Sequence, residues 1–343
     1  MPSITDKDRR NLVGIEHDRV TDVKSTDFPG HYPGEDNSWD LAKFRQQFSV
    51  NISHLTDLVA NFDLVGLDTS VANAFRRIMI AEIPSIAVEE VFIHNNTSVI
   101  QDEVLAHRLG MIPLKAPAEL LGELPNIAKP EIAEHYNDDN TIVLQLHIVC
   151  FHNPDAPKGA TDPKELYINS NVYARDIKFE AVGKQLEWTQ EIQAVNPDIL
   201  IAKLRPGQEI DLTMHCHLGV GCDHAKFSPV ATASYRILPV IEILQPITGD
   251  QAVRFQKCFP SGVIGINTTG EAFVQDARRD TVSREVLRHE EFDGMVKLGR
   301  RRDHFIFNVE STGAMQPDEI FLKSVRELKR KAAYLRQYNL REN

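Results

Sequence analysis

The stretch from Leu67 to Leu114 constrains the fold more than any other part of the chain. Its first apolar residues recur at spacings of three and four, which is typical of a helix with one buried face. Asp68, Thr69 and Ser70 are the candidates for the helix N-cap, and Pro84 ends the helix close to Ile83. The apolar stripe of this helix consists of Val71, Ala74, Phe75, Ile78, Met79 and Ala81.

A strand and a second helix follow in the same stretch. Branched residues from Ile86 to Ile93 predict the strand. Gln101 to Leu109 predict the helix, with Gly110 at the C′ position beyond it. The stripe of the first helix needs a surface to bury against, so we expect a partner for it, either within this chain or in another one.

The C-terminal stretch predicts the clearest helix of the chain. Pro317 suits the first helical position, and Asp318 and Glu319 in the first turn complement the helix dipole. Apolar residues then alternate between spacings of four and three, which indicates a narrow two-position seam of the kind used in helix–helix contacts. The seam consists of Phe321, Val325, Leu328, Ala332 and Leu335.

The composition narrows the function classes. The net charge of -11 over 343 residues argues against a direct grip on nucleic acid as the main activity. The 4 cysteines are too few and too scattered for a disulfide framework, which favours a reducing compartment. We also expect no membrane association, because the sequence contains no apolar run of spanning length and no apolar core of a signal peptide near Met1.

Shifts in composition along the chain predict its domain organisation. Residues 1–38 are polar and contain two Pro-Gly turns, which indicates an N-terminal arm, and we expect folded structure to start near Trp39. Prolines and an acidic run follow Leu114 and mark a boundary. The sequence therefore predicts an α+β protein: a split domain, 39–114 and 221–343, with helices packed on an antiparallel sheet, and a mostly β domain, 115–220, inserted between its two parts.

Further strands follow from alternation and from branched residues. Residues 44–67 suit one or two strands, and 247–277 read as strand and turn. In the strand at 209–218, alternate residues Leu212, Met214, Cys216 and Leu218 form an apolar face. The other predicted strands are 141–151, 165–174, 233–243, 263–266, 272–274 and 305–309.

A group of histidines and cysteines between His215 and His224 is the best candidate for a metal site, and a metal-binding enzyme is the alternative function that it indicates. Two features count against it. The alternation of the strand places Cys216 on the face opposite His215, and no two cysteines have the spacing of a structural zinc site. The other interpretation is an edge strand with a polar face. The group consists of His215, Cys216, His217, Cys222 and His224.

Three basic groups allow two interpretations each, as a solvated surface or as a binding surface. The adjacent Arg76 and Arg77 point about 100° apart on their helix and can flank its apolar stripe. His107 and Arg108 lie on the second helix. The run at 300–302 offers three arginines to phosphate or to an acidic protein, and nearby acidic residues balance it.

Three separated motifs, the first of them in two parts, resemble one protein family. ANAFRRIMIAEIPSIAVEEV and DEVLAHRLGMIPL lie in the first stretch, HAKFSPVATASYRILP begins at His224, and FIFNVESTG begins at Phe305. In this order they resemble the signature of the α-like subunits of DNA-dependent RNA polymerases, a family that includes the bacterial α N-terminal domain and the archaeal D subunit. The resemblance covers most of 40–335.

Within that family, the chain is similar to the version that RNA polymerases I and III share. The FPGHYPGEDNSWD segment of the arm carries this likeness. Messenger-RNA polymerase and many archaeal versions hold zinc or an iron–sulfur cluster on cysteines of the inserted domain. Residues 115–220 contain only Cys150 and Cys216, too few to build either site. A messenger-RNA polymerase or archaeal subunit remains the alternative within the family.

The resemblance implies a scaffold without catalytic, cofactor-binding or metal-binding residues. It implies a heterodimer with the small α-like subunit, on which the two largest subunits of RNA polymerases I and III assemble to make ribosomal RNA precursor, 5S RNA and tRNA. It further implies a nuclear, including nucleolar, location and little direct contact with nucleic acid. The heterodimer interface carried over by position consists of Val71, Phe75, Ile78, Met79, Phe321, Val325, Leu328, Ala332 and Leu335. The large-subunit contact falls on Arg77, with Arg76, His107 and Arg108 as weaker candidates.

Overall fold

A computed structural model describes residues 11–22, 38–116, 140–188 and 192–337 of the chain. These residues form two compact units. The first contains the described residues of Met1–His54, Asn61–Asn73 and Ser234–Asn308; the second contains those of Leu55–Ala60, Ala74–Ala233 and Val309–Asn343. The α-helices are α1 (Leu41–Gln47), α2 (Thr69–Ala81), α3 (Asp102–Gly110), α4 (Pro163–Leu166), α5 (Gly249–Lys257) and α6 (Pro317–Gln337).

The strands are mostly short and antiparallel. In the first half of the chain they are β1 (Leu12–Ile15), β2 (Val20–Thr21), β3 (Ser49–Leu55), β4 (Val59–Val65), β5 (Ser85–Asn96), β6 (Leu114–Lys115), β7 (Ile142–Val149), β8 (Phe151–His152) and β9 (Tyr167–Ile168). In the second half they are β10 (Asn171–Tyr173), β11 (Lys178–Glu180), β12 (Gln193–Ala194), β13 (Leu200–Lys203), β14 (Glu209–Gly219), β15 (Val230–Ile243), β16 (Ile264–Ile266), β17 (Ala272–Val274) and β18 (Val296–Ser311).

The first unit holds most of a six-stranded sheet in the order β2-β1-β18-β4-β3, with β15 also paired to β18. One face of this sheet is aromatic: Phe62 of β4 stacks on Phe307 of β18 with ring centroids 5.3 Å apart, and Tyr235 of β15 contacts Phe307. The amphipathic α5 buries Ala252 and Phe255 in the core of the same unit. Alternation along the strands turns every second side chain to the other face, which carries polar groups.

The N-terminal arm contributes to this sheet. Leu12 of β1 pairs with Arg301 of β18, and Ile15 pairs with Leu298. The prediction that folded structure starts near Trp39 is therefore wrong, because main-chain hydrogen bonding draws residues 12–15 into the sheet whatever the polarity of the surrounding segment. Residues 1–10 and 23–37 of the predicted arm lie outside the described residues.

The second unit is built on a four-stranded sheet in the order β11-β7-β14-β5. The predicted alternation of β14 is confirmed, because Leu212, Met214, Cys216 and Leu218 are all buried in one core cluster. Helix α3 adds Leu105 and Leu109 to that cluster. The long α6 and residues 74–81 of α2 belong to the same unit.

Helices α2 and α6 begin at the positions that the sequence indicates. Asp68 accepts a hydrogen bond from the main-chain N–H of Ser70 at 2.8 Å, and α2 ends at Ala81, before Pro84. Helix α6 begins at Pro317 as predicted. Gly110 differs from the prediction: it is the last residue of α3, in ordinary helical conformation, and it packs close to the carbonyl of Val88.

Three other element predictions are wrong. Residues 249–257 form α5 in a segment predicted as strand and turn. Residues 165–174 do not form one strand, since α4 ends and β9 and β10 follow within that range. Phe44, predicted to lie in a strand, lies in α1. The strand predicted at 305–309 is correct in type but is part of the much longer β18.

The division at residues 114/115 and 220/221 stays a prediction. The two compact units describe which residues contact each other most, and strands such as β15 and β18 contribute to both of them. We therefore retain the inserted domain, 115–220, as part of the proposal below. Residues 117–139 of that predicted insertion lie outside the described residues.

Gly221 provides a test of the packing in the second unit. A methyl group at Gly221 would clash with the carbonyl oxygen of Ile80 near the end of α2, while one at Gly110 would meet the Val88 carbonyl oxygen at an ordinary 3.5 Å. We expect Gly221→Ala to lower the free energy of unfolding by about 2 kcal/mol. Gly110→Ala should be neutral or stabilising by up to about 1 kcal/mol, because alanine is the better helix former. Urea denaturation of both variants checks this, and equal effects would contradict the packing described.

Candidate partner-binding surface

Much of the apolar stripe of α2 is buried within the chain itself. Phe75, Ile78 and Met79 are buried, and Val71 is partly buried. The ring of Phe75 meets the ring of Phe321 edge-on, with centroids 5.4 Å apart. These contacts answer part of the question that the sequence leaves open, because Phe75 of α2 packs against Phe321 of α6 within the same chain.

Helix α6 buries a different face from the one that its seam marks. Pro317, Ile320 and Ser324 are buried, and the Ser324 hydroxyl donates a hydrogen bond to the carbonyl of Phe321 at 2.6 Å. Phe321 and Leu328 are partly buried at the margin of this face. The helix is therefore anchored through its first two turns, and its outer face stays accessible.

The rest of the predicted seam is exposed. Val325 is 39% exposed and Leu335 is 64% exposed, and Ala332 between them is also exposed. Leu322, at 52%, lies beside Val325 one turn earlier. We call Leu322, Val325, Ala332 and Leu335 the α6 seam. An apolar row of this kind along a helix is typical of a surface that docks another helix.

Ion pairs hold the flanks of α6. Lys331 pairs with Glu82, just beyond the end of α2, and Arg330 donates two hydrogen bonds to Glu327, the shorter at 2.6 Å. The hydrogen bond from Arg330 lowers the pKa of the Glu327 carboxyl. Arg326, Lys329 and Arg336 are exposed and form no ion pair within the described part of the chain.

The two adjacent arginines of α2 lie in different environments. Arg77 is exposed and forms no hydrogen bond or ion pair with any residue that the structure describes. Arg76 is partly buried and interacts with its surroundings. Arg77 is thus the arginine of the pair whose donors are available to another molecule.

His107 and Arg108 on α3 also differ in their contacts. Arg108 donates hydrogen bonds from Nε to the carbonyl of Ile201 at 3.2 Å and from Nη2 to the carbonyl of Leu200 at 2.7 Å. These bonds fix α3 to β13, which gives Arg108 a role inside the chain. His107 is exposed at the end of α3.

The histidine and cysteine group between residues 215 and 224 does not converge. The His217 ring lies 3.2 Å from the carbonyl of Asn140, and Nδ1 of His224 accepts a hydrogen bond from the main chain of Lys226 at 3.1 Å. Cys216 is fully buried, and burial raises the pKa of its thiol; burial likewise lowers the pKa of His215. Among the described residues, no three His, Cys, Asp or Glu side chains form a group that could hold a metal ion.

The arginine run at 300–302 lies in β18 and not in a solvated loop. Arg300 pairs with Val13 and Arg301 with Leu12 across the sheet, and all three arginines are partly buried. The Nε atom of Arg301 donates a hydrogen bond to Asp303 at 2.9 Å. This strand position leaves less of the run accessible to nucleic acid than the sequence indicates.

A charged network in the first unit was missed by the sequence analysis. Asp63 of β4, whose side chain is only 10% exposed, accepts one hydrogen bond from Arg278 at 2.5 Å and lies 2.9 Å from the His304 ring. Burial by itself raises the pKa of Asp63, but the hydrogen bonds and charges of Arg278 and His304 outweigh it and lower the pKa overall. A lone acidic residue in the apolar strand VANFDLV is the signal that could have revealed this network.

Comparison with known proteins decides the family. The model described as the RNA polymerase Rpb3/Rpb11 dimerisation domain matches residues 61–332, which include α2 and most of α6. The chain belongs to this family. The α+β fold expected for an α-like polymerase subunit is thereby confirmed for a member of the Rpb3/Rpb11 family.

Relatives within the Rpb3/Rpb11 family match nearly the whole chain. Subunit RPAC1 of RNA polymerases I and III from Saccharomyces cerevisiae is 62% identical over 329 residues, which cover 95% of this chain and 98% of the relative. Its counterpart from Homo sapiens is 46% identical over 327 residues, 94% of this chain and 93% of the relative. RNA polymerase II subunit rpb3 from Dictyostelium discoideum is 34% identical over 309 residues, 86% of this chain and 95% of the relative. The similarity is therefore greater to these two relatives from polymerases I and III.

None of the helices in the described part of the chain combines the length and the apolarity that crossing a membrane requires.

Proposed function

We propose that the chain is the α-like assembly subunit shared by RNA polymerases I and III, which takes part in the synthesis of ribosomal RNA precursor, 5S RNA and tRNA. The observation that carries the proposal is the similarity to RPAC1 relatives over almost the full length of both chains. The lower identity to the RNA polymerase II relative does not favour the messenger-RNA polymerase alternative. The scattered side chains of the 215–224 group do not favour a metal-dependent enzyme.

The proposed role is structural. The chain pairs with the small α-like polymerase subunit, and the pair forms the platform for the two largest subunits, which carry the active site. The domain organisation that we propose for this role has three parts: an arm, 1–38, a split dimerisation domain, 39–114 and 221–343, and an inserted domain, 115–220. The location that follows is the nucleus, including the nucleolus, where ribosomal RNA precursor is made.

The geometry narrows the proposed heterodimer interface. Three of the proposed interface residues are buried in the chain itself and support the interface from within the core: Phe75, Ile78 and Met79. Three others are partly buried: Val71, Phe321 and Leu328. The α6 seam supplies the accessible apolar surface. Because the seam is accessible and its anchoring face is buried, it can bind a partner without unfolding any part of α6.

Co-expression with the small α-like subunit tests this proposal. We expect a stable 1:1 complex on size-exclusion chromatography and poor solubility of the chain alone, because the exposed seam promotes aggregation. A well-behaved monomer that ignores the small subunit would contradict the proposal. Affinity purification of the tagged chain from cells, followed by mass spectrometry, tests the assignment to polymerases I and III: we expect the largest subunits of both, and recovery of only polymerase II subunits would overturn it.

Arg77 is the residue that we propose to contact a large subunit. Its guanidinium is exposed and available, while Arg108 is occupied by two main-chain carbonyls. We expect Arg77→Glu to reduce recovery of the largest subunits by about fivefold and to leave the heterodimer intact, because charge reversal at an interface turns attraction into repulsion.

Lys203→Glu is the matched control for Arg77→Glu, since Lys203 is an exposed cation of β13 on the same unit. Quantitative mass spectrometry of the purified assemblies gives the measurement. Equal recovery of the largest subunits with both variants would remove Arg77 from the proposed contact.

A further inference from the structure

The charged residues beside the α6 seam indicate which kind of partner helix the seam binds. In heptad notation, Val325 and Ala332 occupy a positions, and Phe321, Leu328 and Leu335 occupy d positions. The e positions lie on the exposed side of the helix: Leu322, which is itself part of the α6 seam, and Lys329 and Arg336, which border it. In paired helices, residues at e and g face the partner and set which helices associate.

Lys329 and Arg336 form a basic ridge along the seam. They lie two turns apart on the same side of α6, and both are exposed. Neither forms an ion pair within the described part of the chain, in contrast to Lys331, which occupies a g position and pairs with Glu82. This ridge departs from the acidic character of the chain as a whole, whose net charge is -11.

A second copy of this chain fits the ridge poorly. An antiparallel pair of α6 helices would place e positions opposite e positions, so that Lys329 and Arg336 would face the same cations of the second copy. A parallel pair would place Lys331 opposite Arg336 of the second copy. The antiparallel arrangement brings unpaired cations together beside the seam, which is unfavourable. In the parallel arrangement the ion pair of Lys331 with Glu82 offsets part of the same repulsion.

We propose that Lys329 and Arg336 select the partner of the α6 seam: it is a helix with an apolar seam of its own, bordered by Asp or Glu side chains. The same two residues oppose pairing of α6 with a second copy of itself. The inference rests on the proposed function, because it names the chemistry of the partner surface, and it adds a specificity role for two residues outside the apolar interface.

Lys329→Glu and Arg326→Glu form a matched pair of variants. Both reverse one exposed cation of α6 that has no ion pair in the described chain, but Arg326 lies at a b position, away from the seam. In binding titrations with the small α-like subunit at low salt, we expect Lys329→Glu to weaken binding about fivefold and Arg326→Glu less than about twofold. The difference should shrink as salt increases, because mobile ions screen exposed pairs.

The outcomes separate this inference from the proposed function. If the wild-type chain binds the small subunit and the two variants bind equally well, the selecting role of Lys329 is wrong and the heterodimer stands. If the wild-type chain does not bind at all, the proposed function fails, and the inference about its partner fails with it.

Self-association gives a second measurement. A variant with both Lys329→Glu and Arg336→Glu, mixed with an equal amount of the wild-type chain, should form mixed dimers in sedimentation experiments at the lowest salt in which both stay in solution. An equimolar mixture that associates no more than the wild-type chain alone would show that the basic ridge does not keep copies apart.

Discussion

Replacement of Val325 by aspartate is expected to abolish association with the small α-like subunit and to leave the chain folded. Val325 of the α6 seam is 39% exposed, so an aspartate there stays hydrated in the free chain. In the complex, the same carboxylate would be buried against apolar side chains without a partner. We expect a loss of about 3 kcal/mol of binding free energy, more than a hundredfold in Kd. Isothermal titration or a co-purification assay measures it.

Two control variants separate binding from folding. Arg326→Asp changes the neighbouring residue, which is exposed but outside the seam, and should bind the small subunit nearly normally. Met79→Asp places a carboxylate at a fully buried position of α2 and should yield unfolded or insoluble chain. If Val325→Asp binds as the wild-type chain does, α6 does not contribute the proposed interface. If it unfolds as Met79→Asp does, the seam is part of the core.

Removal of the Asp63 carboxylate is expected to destabilise the first unit. Asp63→Ala leaves Arg278 and His304 without the acceptor that both of them contact. Breaking a buried charge pair on one side commonly costs several kcal/mol. We expect a loss of about 2 kcal/mol in the free energy of unfolding, because Arg278 is 31% exposed and water can solvate it.

The same carboxylate predicts how stability depends on pH. The pKa of Asp63 is lower in the folded chain than in the unfolded one, so the unfolded state takes up a proton first as the pH falls. The stabilisation is therefore fully present above the unfolded pKa, about pH 4, and is lost as the pH falls through the folded pKa.

Urea unfolding of the full chain, purified with its small partner, measures both effects. The difference in unfolding free energy between the wild-type chain and Asp63→Asn should be constant near neutral pH and should shrink in acid. A difference that grows as the pH falls would show that Asp63 is not held ionised by Arg278 and His304. Asp57→Asn, in the exposed turn after β3, is the control and should change little at any pH.

Strong periodicity in the sequence predicted the elements that matter most. The stripe of α2, the seam of α6 and the alternation of β14 each repeat over several turns or residues, so each pattern has one structural interpretation. The N-cap candidates at 68–70 and the proline at 317 then indicated where the two helices begin. Weaker patterns failed. Helix α5 is short and polar on one side, and β1 offers only residues 12–15 for pairing with β18, which lies far away in the sequence.

The candidate surface was only partly predictable, because its contacts join residues that are distant in the sequence. Arg77 and Arg108 have the same chemistry, and only the contacts of α3 with β13 show that Arg108 is occupied. Asp63, Arg278 and His304 come from three separate parts of the chain, and no spacing in the sequence connects them. Such networks depend on the register of strands and on the course of loops, which local patterns do not determine.

The sequence by itself determined that two helices carry apolar faces in need of a partner, because amphipathicity is a property of spacing along one helix. It also indicated the family, through three separated motifs in order. Only the tertiary structure decided which of those faces the chain covers itself. Phe75 meets Phe321 across a long interval of sequence and is buried, while Val325, Ala332 and Leu335 extend past that contact and stay accessible. Burial depends on what packs above a residue, and residues distant in the sequence supply that packing.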